Sequence, residues 1–310
     1  MGMFWLKNNM CILHFDVDKN LGQYLKGNTS SLSLTKKNLP QIKNKNEIEV
    51  ISIKSQSSVD DFVLKQLPKL KLIVTRTVGL DHIDLVACKK RGVVVRNIVD
   101  YGAYNIAEHA LALLLTGARN VVSSFTEVKK GIFSYKNHLG VCLKGKILGV
   151  VGTGKIGLEL IKRIKAFEVN VIVYDVILNK QAAKDLGFEY VSLTQLLKTA
   201  DFISLHVPLF PQTHHLIGEK EIKLMKNGVI LVNTSRGEII DTKALIKNIK
   251  KFKAVVLDVV EGEAKFSKKH PLLKYNNVII TPHIAFYSDD SVKKIAEETE
   301  KIIKNFKNSN

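Results

Sequence analysis

Cysteine is scarce in this 310-residue chain: Cys11, Cys88 and Cys142 are the three, and no two share the spacing of a disulfide framework or a zinc ribbon. Reduced thiols in a reducing compartment follow, so a cytoplasmic location is the expectation. Six prolines and 19 glycines exclude collagen-like or linker sequence. No apolar run reaches the roughly 20 residues that span a bilayer. The opening MGMFWLKNNMCILHFD interrupts any signal-peptide core with Lys7 and then Asp16, so no membrane partner is expected. Arginine-rich blocks and interleaved aromatic stripes are also missing. What abounds is lysine, which accounts for most of the net charge of +18. The lysines recur in pairs such as Lys36/Lys37, Lys129/Lys130 and Lys293/Lys294, with acids between them. That pattern describes a solvated surface, open to weak polyanion binding but to no specific nucleic acid.

With 45% hydrophobic residues the chain can fill large cores. Short apolar runs alternate with longer amphipathic ones, the signature of βαβ units and parallel sheets. Strands are expected at 11–15, 49–53, 72–75, 93–96, 147–151, 171–174, 202–205, 229–233, 254–257 and 278–281, too many for one compact sheet. Residues 103 to about 130, containing AEHALALLLTGARNVVSSF, are apolar on most faces and read as one helix buried between domains or against another subunit. The expected organisation is an α/β domain of residues 1–98 completed by a returning C-terminal helix in 285–310, and a second of residues 99–284. No internal repeat appears.

Directly after the strand at 147–151 comes Gly152-Thr153-Gly154-Lys155-Ile156-Gly157, followed by helical sequence. In that setting the first two glycines allow a tight turn and close approach of backbone to a pyrophosphate, and Gly157 allows close helix–strand packing. The next strand ends at Asp175, near the distance at which an acid accepts from the adenosine ribose hydroxyls and repels a 2′-phosphate. NAD rather than NADP is the expected cofactor.

Three ionisable residues fall at further strand ends: Arg236, Glu263 and His283. Reduction of a 2-keto acid needs a proton donor for the developing alkoxide, a cation for carboxylate and carbonyl, and a support for the donor, and these residue types supply all three. No HExxH or paired Cys–His spacing occurs, and the adjacent His214 and His215 cannot easily share one face of a regular element, so no metal is expected. Ser235 lacks a nucleophile-elbow context.

Taken together, Gly152–Gly157 with Asp175, His206-Val207-Pro208, Asn233-Thr234-Ser235-Arg236-Gly237, Asp258-Val-Val-Glu-Gly-Glu263 and Thr281-Pro-His283 resemble the D-isomer-specific 2-hydroxyacid dehydrogenase family over about residues 50 to 305. TRTVGLDHIDL, HVPLFPQTHHLIG and TPHIAFYSD are similar to its D-lactate dehydrogenase branch. The resemblance implies two doubly wound α/β domains, a flavodoxin-like substrate domain and a Rossmann NAD-binding domain, with the active site in the cleft between them and hinges near 98–101 and 284–287. It implies that Arg236 binds the substrate carboxylate and polarises the carbonyl, that His283 is the acid/base, and that Glu263, five residues after Asp258, holds the imidazole, leaving Glu261 a decoy. Cofactor contacts are implied at His206, Val207, Pro208, Thr213, Thr234, Ser235 and Asp258, the last to the nicotinamide carboxamide. Substrate contacts are implied at the Val78 and Gly79 amides and at Tyr101, although Val99 and Ala103 replace prolines common in that loop. Phe286 and Tyr287, with Tyr101, would crowd the substrate down to about a methyl group.

The expected reaction is reversible reduction of pyruvate to D-lactate by a homodimer pairing through its cofactor domains. The alternatives are family members acting on hydroxypyruvate, 3-phosphoglycerate or branched acids, and an NAD-sensing interaction protein of corepressor type. A phosphoglycerate enzyme would often append a regulatory domain, and the chain ends at Asn310 just after its last helix. The intact Arg236, Glu263 and His283 favour an enzyme over a sensor.

Overall fold

The computed structural model describes residues 10–99 and 101–309, so most of the opening segment read above for a signal core lies outside the described residues. The chain divides into two compact units: Met1–Tyr101 with Ser288–Asn310, and Gly102–Tyr287. The division falls three residues beyond each expected boundary.

The first unit is a five-stranded parallel sheet of order β2-β1-β3-β4-β5, from β1 (Cys11–His14), β2 (Asn28–Thr29), β3 (Ile48–Ile53), β4 (Leu72–Thr75) and β5 (Val94–Asn97). Its helices are α1 (Lys19–Gly22), α2 (Asp61–Lys65) and α3 (Leu85–Lys90). Asp18, Asp60 and Asp84 cap them by accepting from first-turn amides, removing orphan donors that a short helix could not otherwise satisfy. The strands are almost continuously apolar because both faces are covered, as parallel sheets require.

The second unit opens with α4 (Ala103–Ala118) and α5 (Val121–Lys129). Here the expectation of one uninterrupted helix fails. Asn120 takes a left-handed backbone, φ +53°, and breaks it in two. Only the first half is buried: Ala107, Ala110, Leu113 and Leu114 face the core, and a Cβ on Gly117 would lie 2.8 Å from Val256. No residue of α5 is buried.

Seven parallel strands follow in the order β12-β11-β10-β9-β6-β7-β8. They are β6 (Ile147–Val151), β7 (Asn170–Tyr174), β8 (Glu189–Tyr190), β9 (Phe202–Leu205), β10 (Val229–Asn233), β11 (Phe252–Leu257) and β12 (Val278–Ile280). Helices α6 (Lys155–Ile164), α7 (Lys180–Leu186), α8 (Leu193–Thr199), α9 (Glu219–Leu224) and α10 (Thr242–Lys247) alternate with them, before α11 (Asp289–Asn308) completes the first unit. The order reverses between β6 and β9, so the carboxyl ends of those two strands form the switch point at which open α/β sheets bind ligands.

Candidate active site

The glycine turn occupies that switch point. Gly152 follows β6 at φ +102°, and a Cβ there would stand 2.7 Å from the His206 carbonyl oxygen after β9. A Cβ on Gly157 would lie 2.1 Å from the Gly152 carbonyl oxygen, so both positions admit only glycine. Gly154 differs: nothing lies within 4 Å of its Cβ position, which leaves the backbone open to a ligand. Gly154 is also the N-cap of α6 and offers no side-chain acceptor, so the first-turn amides from Lys155 and Ile156 onward present donors and the positive end of the helix dipole. A dinucleotide pyrophosphate fits that combination.

Asp175, the residue after β7, accepts from Thr153 N (2.6 Å) and Thr153 Oγ1 (2.9 Å) with one oxygen and from Ile177 N (3.0 Å) with the other. Burial pushes its carboxyl up, but these hydrogen bonds outweigh that and hold it below the ordinary range. It is therefore a charged acceptor at neutral pH. The Thr153 contact, invisible in the sequence, ties the carboxylate to the glycine turn. His206 Nε2 meets Ser204 Oγ at 2.8 Å, and burial pushes its imidazole down to about 4, keeping it neutral. Beyond Val207, the Thr213 hydroxyl bonds Pro208 O (2.6 Å) and Phe210 N (2.7 Å), so it pins its own turn. Thr234 Oγ1, at the end of β10, is buried with no hydrogen-bond partner among the described residues.

The catalytic candidates sit on neighbouring strand ends. Asn233 closes β10 and organises the turn to Arg236: its Oδ1 accepts from Ser235 N (3.0 Å) and Ser235 Oγ (2.8 Å), and its Nδ2 donates to Arg236 O (2.8 Å). Gly237 then packs so closely that a Cβ would fall 1.9 Å from the Val260 carbonyl carbon. The loop after β11 is thereby pressed against the Arg236 turn.

Asp258, 1% exposed, opens that loop. It accepts from Thr281 Oγ1 (2.5 Å), Ile284 N (2.9 Å) and Ala285 N (2.8 Å), and His109 of α4 lies 3.4 Å away. Burial raises its carboxyl; those partners more than offset it and lower the carboxyl. A carboxylate engaged from so many sides ties the segment around His283 to the sheet, a role the sequence did not reveal. His109 was likewise hidden, inside an apolar helix. His283 itself is left-handed, φ +54°, and its N–H reaches Asp258 O (2.8 Å). Its Nδ1 meets Glu263 Oε1 at 2.9 Å, so the structure pairs these two expected partners. Phe286 stands edge-on to the imidazole, 6.3 Å between centroids, and Tyr287 packs against Phe286.

His214 and His215 lie on a turn, outside any helix or strand. With His215 left-handed, φ +53°, their ring centroids stand 4.0 Å apart at a tilt of 33°.

Val78, Gly79 and Tyr101 belong to the first unit. The loop after β4 is held by Thr77 Oγ1 donating to Gly79 O (2.6 Å) and Asn97 Nδ2 donating to Val78 O (2.7 Å). Tyr101 is buried, and its carbonyl accepts from Ser291 Oγ at 3.1 Å.

A strand end able to receive a pyrophosphate, and on the same sheet a histidine braced by a carboxylate, is the arrangement of a dinucleotide-dependent dehydrogenase. Residues 111–285 match the family model described as the D-isomer specific 2-hydroxyacid dehydrogenase, NAD binding domain, and the chain belongs to that family. Among its relatives, the glyoxylate reductase of Thermococcus litoralis is 41% identical over 260 residues, 81% of this chain and 78% of that protein. The D-3-phosphoglycerate dehydrogenase of Methanocaldococcus jannaschii is 40% identical over 265 residues, but the matching region is 83% of this chain and only 50% of that relative's length. Among solved structures, the D-lactate dehydrogenase from Aquifex aeolicus complexed with NAD and lactic acid shares the fold with TM-score 0.84 and 38% identity, covering 95% of each chain. NAD is thus the cofactor of this family domain.

Proposed function

We propose that this protein reduces a small 2-keto acid to the D-2-hydroxy acid, with pyruvate and D-lactate as the favoured pair. The observation that carries the reading is the 2.9 Å contact between His283 and Glu263 in the unit that also holds the glycine turn and Arg236. NADH, when bound, supplies the hydride to C2. His283 donates the proton to the carbonyl oxygen, Glu263 keeps the imidazole oriented, and the planar Arg236 guanidinium grips the substrate carboxylate. Asp175 is the ribose acceptor, while Val207, Pro208, Thr234 and Ser235 line the cofactor and Asp258 fixes the strand-end geometry. In the first unit the proposed substrate contacts are the Val78 and Gly79 amides and Tyr101. Phe286 and Tyr287 restrict the acid's third carbon.

The test is NADH oxidation against pyruvate, glyoxylate, hydroxypyruvate and 2-ketoisocaproate. Pyruvate should lead longer acids by roughly tenfold to two-hundredfold, the worth of about 1–3 kcal/mol of misfit. Faster turnover of 2-ketoisocaproate would remove the D-lactate assignment. Relatives named glyoxylate reductase and hydroxypyruvate reductase at 41% and 38% identity support a second reading, in which those acids lead. Asp175→Ala should weaken NADH binding and narrow the NADH/NADPH preference; an unchanged ratio would reassign Asp175.

The proposal includes a homodimer. Val121, Val122, Phe125 and Val128 of α5 are exposed, and Phe133 (94%) and Tyr135 (87%) follow them. Such a cluster is too apolar for a free surface. Phe125→Asp should shift the mass measured by light scattering from dimer to monomer. Among the described residues no helix is long and apolar enough to cross a membrane.

A further inference from the structure

Apart from the residues given roles above, His214, His215 and Glu261 place one ligand atom each within 4.8 Å of one another. Adjacent residues in extended or helical backbone direct their side chains apart. Here the left-handed His215 turns its ring back beside that of His214, and backbone contacts hold the turn: His214 N donates to Phe210 O (2.9 Å) and His215 N to Glu238 O (2.8 Å). Glu261 arrives from the loop after β11. Its Oε2 accepts from Thr242 N (3.2 Å) and its Oε1 lies 2.8 Å from His215 Nε2. Two of the three donors are therefore already fixed at near-coordination separation, and the third, His214, is exposed and has room to swing.

We propose that His214, His215 and Glu261 bind a divalent transition cation of the Zn(II) class, with water completing the coordination. Two imidazole nitrogens and one carboxylate oxygen suit Zn(II), Ni(II) or Cu(II) and suit Mg(II) or Ca(II) poorly, because the latter demand oxygen ligands. Bonds of about 2.0–2.1 Å in a tetrahedron put ligand atoms about 3.3 Å apart, so closure needs a shift of His214 by roughly 1.5 Å or less. The cation takes the place of the hydrogen between His215 Nε2 and Glu261 Oε1, and the neutral imidazole that ligates through Nε2 carries its ring proton on Nδ1. The chain's net charge of +18 opposes cations at long range, but that field fades over about 8 Å at physiological salt, whereas the Glu261 carboxylate acts at contact. Three side chains with open positions make an exchangeable site, in contrast to a closed structural one.

The experiment titrates Zn(II) into chelator-stripped full-length protein by calorimetry, with Mg(II) as the control. One saturable site with Kd of about 1 μM is expected, with Zn(II) raising the melting temperature and Mg(II) leaving it unchanged. His214→Ala is the decisive variant because it leaves the His215–Glu261 contact in place. It should weaken Zn(II) binding at least about tenfold and abolish the thermal shift, while circular dichroism and NADH binding report an intact fold. Absence of saturable binding below about 1 mM overturns the proposal. So does Zn(II) affinity in His214→Ala within about threefold of wild type, which would place the ion elsewhere, at Cys142 or His283.

Discussion

Two histidine–glutamate pairs hang on one short loop, and their likeness is close: His283 meets Glu263 at 2.9 Å, His215 meets Glu261 at 2.8 Å, and both histidines are left-handed. The difference lies in what else holds each carboxylate. Glu261 uses both oxygens, one on His215 and one on the Thr242 amide at the start of α10, and so joins three segments. Burial raises its carboxyl, yet those bonds outweigh burial and hold it below the ordinary value. Glu263 stands 41% exposed, on a short helical turn reached through the left-handed Gly262, and offers one oxygen to His283. One pair is a tie between three segments; in the other, Glu263 meets His283 with one oxygen and can follow a proton. Proximity of a carboxylate to an imidazole does not by itself distinguish them.

The sharpest way to break this distinction is to remove the proton donor. His283→Ala should lower kcat for keto-acid reduction by about 100- to 10,000-fold, with the Kd for NADH from fluorescence titration nearly unchanged. If cofactor binding is the main loss, His283 is structural. Glu263→Gln comes next: at least about a tenfold fall in kcat is expected, smaller than for His283→Ala, because the donor survives but loses its support. Wild-type activity in that variant would move the supporting role elsewhere. The smallest effect belongs to Glu261→Gln, which should cost about 1–2 kcal/mol of stability through its lost charged hydrogen bonds. Because the folded carboxyl titrates below its unfolded value of 4.5, this stabilisation is present at neutral pH and is lost as pH falls through the folded value. The melting-temperature gap between wild type and Glu261→Gln should therefore narrow in acid; a gap that widens would contradict the tie.

Much of the framework was legible because buried parallel strands write themselves as uninterrupted apolar runs. The strands Leu72–Thr75, Ile147–Val151, Phe202–Leu205 and Val229–Asn233 lie where the sequence places them, and the glycine turn follows its strand. The edge strands Asn28–Thr29 and Glu189–Tyr190 were illegible, since two residues carry no period. The break in the long apolar helix had a signal in Asn120, a residue type that tolerates the left-handed conformation, but apolarity on both sides masked it. Within the site, residue types marked Arg236, Glu263 and His283. Thr281 and His109, which hold Asp258, and the Thr153 hydroxyl, which holds Asp175, are ordinary polar residues whose meaning depends on where the chain returns.

The first unit is split around the second, and this has a consequence for synthesis. Its sheet buries Val50, Leu72 and Val74 against Ile303 of α11. On the ribosome that helix emerges only after the whole of Gly102–Tyr287 has been translated, a wait of roughly 10 to 40 s at about 5–20 residues per second. During that interval the nascent sheet lacks the helix that covers Val50, Leu72 and Val74. The N-terminal unit, although synthesised first, can complete its packing only after the last helix has emerged.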